Sequence, residues 1–152
     1  MKYSRFTAAL VLVAAVFLAP GAWAKTCALS ISGNDQMKFD KPTLAVGADC
    51  TEVALTLTHS GKLAANVMGH NWVLAKTSDF QAVATAGMKA TLAQSYLPAD
   101  DTRVIAHTKV IGGGESTTVK FPVSKLKKGE AYTFFCSFPG HWAVMKGTLT
   151  YG

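Results

Sequence analysis

The chain has no basic stripe interleaved with aromatics, no internal repeat, no low-complexity tract and no composition break that would mark a second domain. The first absence excludes a nucleic-acid partner, which needs clustered Lys and Arg to meet phosphate. Past its first two dozen residues it also lacks any apolar run approaching the roughly 20 residues that cross a bilayer. Charge is scarce, with 16% charged residues and a formal net charge of +6. Cysteine is scarce too, at three.

The one long apolar stretch lies at the start. Lys2 and Arg5 precede an uncharged run from Phe6 to Ala19, followed by Pro20-Gly21 and the small-residue pattern Ala22-Trp23-Ala24. This order predicts a secretory signal peptide over residues 1–24, cut after Ala24, rather than a membrane anchor. Residues 25–152 are then one mature domain without an anchor. Loss of Lys2 and Arg5 leaves a mild charge of about +4. After export into an oxidising compartment, two of Cys27, Cys50 and Cys136 should pair and one is left over. Cys27 and Cys50 each sit beside a candidate strand near the mature N-terminus, so a bridge between them leaves Cys136 free.

Short segments of period two recur: Cys27-Leu29-Ile31, Val53-Leu55-Leu57, Val104-Ala106-Thr108-Val110, Val119-Phe121-Val123, Tyr132-Phe134-Cys136 and Thr148 to Tyr151. Turn signals such as Ser32-Gly33-Asn34-Asp35 and Gly112-Gly113-Gly114 separate them, which predicts an all-β sandwich or barrel. Residues 77–97 differ: they are rich in alanine, open with Thr77 or Ser78 as a candidate cap and are followed by Pro98. They predict one short helix on an inter-strand connection, interrupted or ended near Gly87.

Chemistry concentrates in CSFPGHWAVM, residues 136–145. Cys136 continues the inward face of Tyr132 and Phe134, Phe138-Pro139-Gly140 forces a turn, and His141 and Met145 follow. Thiolate, imidazole and thioether together suit copper, and the trigonal Cys-plus-two-His set with a weak axial Met is the blue-copper arrangement. A second histidine is required, and the candidates are His59, His70 and His107.

NVMGHNWVL (66–74), RVIAHTK (103–109), FPGHWAVMKGTLT (138–150), ISGNDQMKF (31–39) and the Cys27/Cys50 pair resemble the azurins, small periplasmic blue-copper proteins of the cupredoxin family, over essentially the whole mature chain. The resemblance implies a Greek-key β-sandwich of about eight strands. It implies one copper ion held by His70, Cys136 and His141, with Met145 as a distant axial ligand and the Gly69 carbonyl on the other side. The Asn71 and Phe138 amides would donate hydrogen bonds to the Cys136 sulfur. His59 and His107 would not bind copper. Trp72 would be buried, as its place at the head of WVLA already suggests.

The same resemblance implies a monomeric electron carrier, not an enzyme, whose electrons pass through the partly exposed ring of His141. An apolar patch of Met37, Leu63, Met68, Met88, Pro139 and Gly140 would frame that ring. The implied partners are redox proteins: c-type cytochromes, copper nitrite reductase or amine dehydrogenases. Trp142 departs from the small polar residue some azurins carry after the ligand histidine; it either extends the patch or packs against neighbouring loops.

Two other readings fit the loop less well. A Cys136 nucleophile with His141 as base lacks an evident third orienting group. A copper- or zinc-binding module without redox duty uses the same donors.

Overall fold

Alternation along the strands decides which side chains the two sheets bury between them. The computed structural model describes residues 24–152, so the apolar leader and the signal-peptide reading lie outside the described residues, apart from Ala24. One sheet holds β1 (Thr26–Asn34), β2 (Lys38–Phe39), β4 (Glu52–His59) and β7 (Ser116–Pro122) in the order β2-β1-β4-β7. The other holds β3 (Thr43–Val46), β5 (Val73–Lys76), β6 (Val104–His107), β8 (Tyr132–Phe135) and β9 (Lys146–Tyr151) in the order β3-β9-β8-β5-β6. The chain passes repeatedly from one sheet to the other, and β1·β4 and β3·β9 pair in parallel.

The expected sandwich is therefore present, with nine strands among the described residues where about eight were expected. The extra one is β2, two residues long and too short to show a period. Between the sheets lie Ile31, Leu55, Leu57, Trp72, Leu74, Phe134 and Leu149, all 2% exposed or less. Trp72 sits 6.2 Å from both Phe121 and Phe134, bridging the sheets.

The helix expected within 77–97 is α2 (Phe80–Gly87), ending at the predicted glycine. Its N-cap is Asp79 rather than Thr77 or Ser78, and no side chain caps it. What holds α2 is packing: Val83 and Ala84 sit on Val73, Ala75, Leu97 and Phe135, a second cluster on the outer face of the five-stranded sheet. A single helical turn that the sequence did not announce, α1 (Ala65–Met68), also lacks a side-chain cap.

Cys27 and Cys50 form a disulfide separated by 23 positions, and Cys136 is the free cysteine among the described residues. Closing a loop of that length stabilises the fold by about 3 kcal/mol in the chain-entropy model. The Cys27→Ala/Cys50→Ala pair should thus lower the melting temperature by about 10 °C in calorimetry.

Candidate metal centre

Two distant segments meet at one end of the sandwich. Cys136 follows β8 and keeps its inward phase, fully buried, and its amide donates to the Met145 carbonyl at 3.0 Å. The intervening chain reverses at Gly140, whose φ of 82° is accessible to glycine without a Cβ clash. A 3-10 turn, His141–Ala143, then brings His141 back, and the Met145 amide donates to the His141 carbonyl at 2.7 Å. From the other side comes His70, pinned by a two-way backbone bridge with Ile111.

His70 Nδ1 lies 3.9 Å from Cys136 Sγ, and His141 Nδ1 lies 3.6 Å from it. Metal bonds of about 2.0 Å to nitrogen and 2.3 Å to sulfur, spread at 120°, separate N and S donors by about 3.7 Å. The three donors are thus already spaced for one ion in their plane. Met145 is fully buried beside them. The other close group of ligand-type atoms among the described residues, Cys27, Asp49 and Cys50, has both sulfurs committed to the disulfide.

The surroundings fix each donor's orientation. The Nε2–H of His70 donates to the Asn34 carbonyl at 2.8 Å, which leaves Nδ1 as the lone-pair donor. His59 stacks on the His70 ring at 4.3 Å, is itself fully buried, bonds Met68 O at 2.8 Å through Nε2 and accepts the Gly61 amide at 3.0 Å through Nδ1. Both its nitrogens are therefore occupied, and it is no ligand. His107 is exposed on β6. A buried network ties the two ligand segments: Asn71 Nδ2 donates to Ser137 Oγ at 2.8 Å and Ser95 O at 3.0 Å, while the Ser137 amide donates to Asn71 Oδ1 at 2.8 Å.

Two contributors escaped the sequence reading. Asn34, whose carbonyl orients His70, acts through its backbone, which no residue pattern reports. Gly33 gives the site its room: a Cβ there would stand 2.6 Å from Met145 Cε and 2.9 Å from His70 Cδ2.

Burial pushes the Cys136 thiol up to about 12, although the Asn71 and Phe138 amides that hydrogen-bond its sulfur pull the other way. Such a thiol is a poor nucleophile. Burial, then repulsion from His70 and His59, lowers His141 to about 4, and burial lowers His70 as well. At neutral pH the metal-free site therefore holds neutral imidazoles and a protonated sulfur. Copper uptake must expel the thiol proton, so apparent affinity should rise tenfold per pH unit from about pH 7 to 9, where both imidazoles are already neutral, with one proton released per ion. Chelator competition across that range checks the slope; a flat profile contradicts it.

On the surface, Met37, Leu63, Met88, Pro139 and Gly140 are exposed and Met68 is half-buried. Val67 and Val144, at 58% and 65% exposure, are apolar residues of the same segments that the sequence reading passed over. His141 itself is only 3% exposed, leaving a narrow edge. Trp142 is half-buried, its ring edge-on to Phe80 of α2 at 6.0 Å.

A cysteine sulfur, two imidazoles and a thioether, gathered in a buried pocket of a two-sheet β-sandwich, define a type 1 copper protein of the cupredoxin fold. Comparison agrees: the model of the copper binding proteins of the plastocyanin/azurin family matches residues 25–152. The chain is 58% identical to the azurin of Bordetella pertussis over 135 residues, covering 89% of each chain. It is 55% identical to the azurin of Pseudomonas aeruginosa over 127 residues, 84% of this chain and 86% of that one. A solved structure of azurin iso-2 from Methylomonas sp. strain J superposes with a TM-score of 0.80 at 44% identity, covering 83% of this chain and 98% of that one. The chain belongs to the plastocyanin/azurin family of copper-binding proteins. It is a blue-copper electron-transfer protein, not an enzyme.

Proposed function

We propose that residues 25–152 act as a monomeric periplasmic shuttle, released by cleavage after Ala24, that takes one electron from one redox protein and gives it to another. The carrying observation is the preset donor triangle of His70, Cys136 and His141, at 3.6–3.9 Å from sulfur to nitrogen. When bound there, copper supplies a reversible one-electron couple. The chain's own residues keep the site's shape constant across that change. The Asn34 carbonyl holds His70, and the Asn71 network joins the segment bearing His70 to the one bearing Cys136. Met145 is confined by Gly33, so little has to rearrange.

The Gly69 carbonyl lies 3.9 Å from Cys136 Sγ, which supports reading it as a further weak donor to the ion. The Asn71 and Phe138 amides withdraw charge from the sulfur, which favours the reduced ion and raises the potential. His141 is the exit: its ring packs on Phe138 at 4.5 Å and keeps 3% of its surface exposed. Around this edge the patch of Met37, Leu63, Met68, Met88, Pro139 and Gly140 would dock c-type cytochromes, copper nitrite reductase or amine dehydrogenases. Docking of this kind is brief, because redox encounters bury little area.

A charge placed in the patch tests the reading. Leu63→Asp puts an unpaired carboxylate where a partner must exclude water, costing about 2 kcal/mol in docking, or roughly thirtyfold in the bimolecular rate. Stopped-flow oxidation of a reduced c-type cytochrome should record that fall with the potential unchanged. An unaltered rate sinks the assignment of this face.

A further inference from the structure

The second hydrophobic cluster sits on the side of the five-stranded sheet away from the copper site, yet it touches the site's chain at three points through one side chain. Phe80, the first residue of α2, meets Phe135 edge-on at 5.0 Å, meets Trp142 edge-on at 6.0 Å, and carries Lys146 Nζ 5.2 Å above its ring. Phe135 precedes Cys136, Trp142 follows His141, and Lys146 follows Met145. Every donor side chain of the C-terminal segment thus has an immediate chain neighbour resting on Phe80.

Strand alternation explains the first of these contacts. Cys136 points between the sheets, so Phe135 must point to the outer face, where α2 lies. Trp142 repeats that opposition in the 3-10 turn, its ligand neighbour His141 facing the donor triangle while the indole joins the outer cluster. The backbone bonds of this turn, His141 N–H to Phe138 O, and Val144 and Met145 N–H to His141 O, shape the segment internally. The Cys136 N–H bond to Met145 O and the Phe135–Lys146 strand pair tie its end to the sheet, while its contacts toward α2 are those made by Phe80.

We propose that Phe80 and Trp142 form a clamp on the outer face that sets the position of the ligand segment, making both positioning residues for the copper site. The indole after His141 therefore acts from behind the site. The clamp rests on the assignment of Cys136, His141 and Met145 as ligands only for its effect on the metal, since its effect on the chain exists without one.

The test uses Phe80→Ala, Trp142→Ala, the double variant, Trp142→Phe, and Val83→Ala as a control that loosens α2 within the same cluster. In the metal-free protein, amide exchange at His141, Val144 and Met145 should quicken about tenfold in either single alanine variant, the order expected for losing aromatic edge contacts. The double variant should add little, because both residues belong to one contact. After copper loading, the same variants should release the ion to a chelator about tenfold faster, with a shifted copper–thiolate band. Trp142→Phe should restore most of both effects. Val83→Ala should lower the melting temperature while leaving local exchange and the band in place.

Unchanged exchange in Phe80→Ala and Trp142→Ala overturns the clamp. So does a Val83→Ala variant that reproduces their exchange and spectral changes, since the effect would then be general loosening. If exchange responds as expected but the chain binds no copper, the ligand assignment fails and the clamp stands.

Discussion

Replacing Cys136 with alanine should abolish the visible colour and the reversible redox wave of the copper-loaded chain, while the metal-free protein still folds. The argument joins two properties of one residue. Without metal, Cys136 is a buried neutral thiol, its proton held by burial, so alanine removes no charge and only one heavy atom from the core. Its sulfur lies 3.9 Å from His70 Nδ1 and 3.6 Å from His141 Nδ1, and with metal bound it would be the anionic donor of that set. Binding worth about 10–16 kcal/mol over four donors assigns about 3 kcal/mol to each, so copper affinity should fall at least a hundredfold. The colour goes altogether, because its thiolate is gone. Isothermal titration gives the affinity, and a melting curve of the metal-free variant within a few degrees of the parent shows that the fold is not the cause.

The second large effect is expected at Asn71→Leu. Asn71 is fully buried, and its side chain is the tie between the His70 and Cys136 segments, with partners in Ser137 and in Ser95. Leucine matches its size but leaves the Ser137 N–H buried without that acceptor, and it removes two donated bonds. An orphaned buried donor plus lost hydrogen bonds costs about 3 kcal/mol, or about 10 °C in melting temperature. The deficit should be smaller in the copper-loaded protein, because the ion itself joins the two segments. Calorimetry on both forms checks the sign of that difference. An equal loss in the two would mean that Asn71 serves the general fold and not the site.

What the residues alone disclosed follows from where the physics is local. Period two along Tyr132-Phe134-Cys136 places the thiol inward, and it is buried. The alanine-rich stretch ends as a helix at Gly87. By contrast β5 reads only as an apolar run, because Trp72 and Leu74 face the core while Val73 and Ala75 face α2, so both sides are buried and the alternation vanishes. Choosing His70 from among three histidines was beyond pattern as well: it lies 66 positions before Cys136, and only sheet topology brings them together. The azurin resemblance selected it. Trp142 could not be placed either, since its partner Phe80 belongs to a distant helix.

The central claim is that this chain carries single electrons on a site whose shape the fold has set in advance. Cyclic voltammetry of the copper-loaded chain, coupled to its visible spectrum, tests it most directly. The expected result is a reversible one-electron wave, one electron per chain, with the thiolate band bleaching and returning undiminished over repeated cycles. An irreversible wave, or a band that fades as copper is lost on reduction, would contradict it.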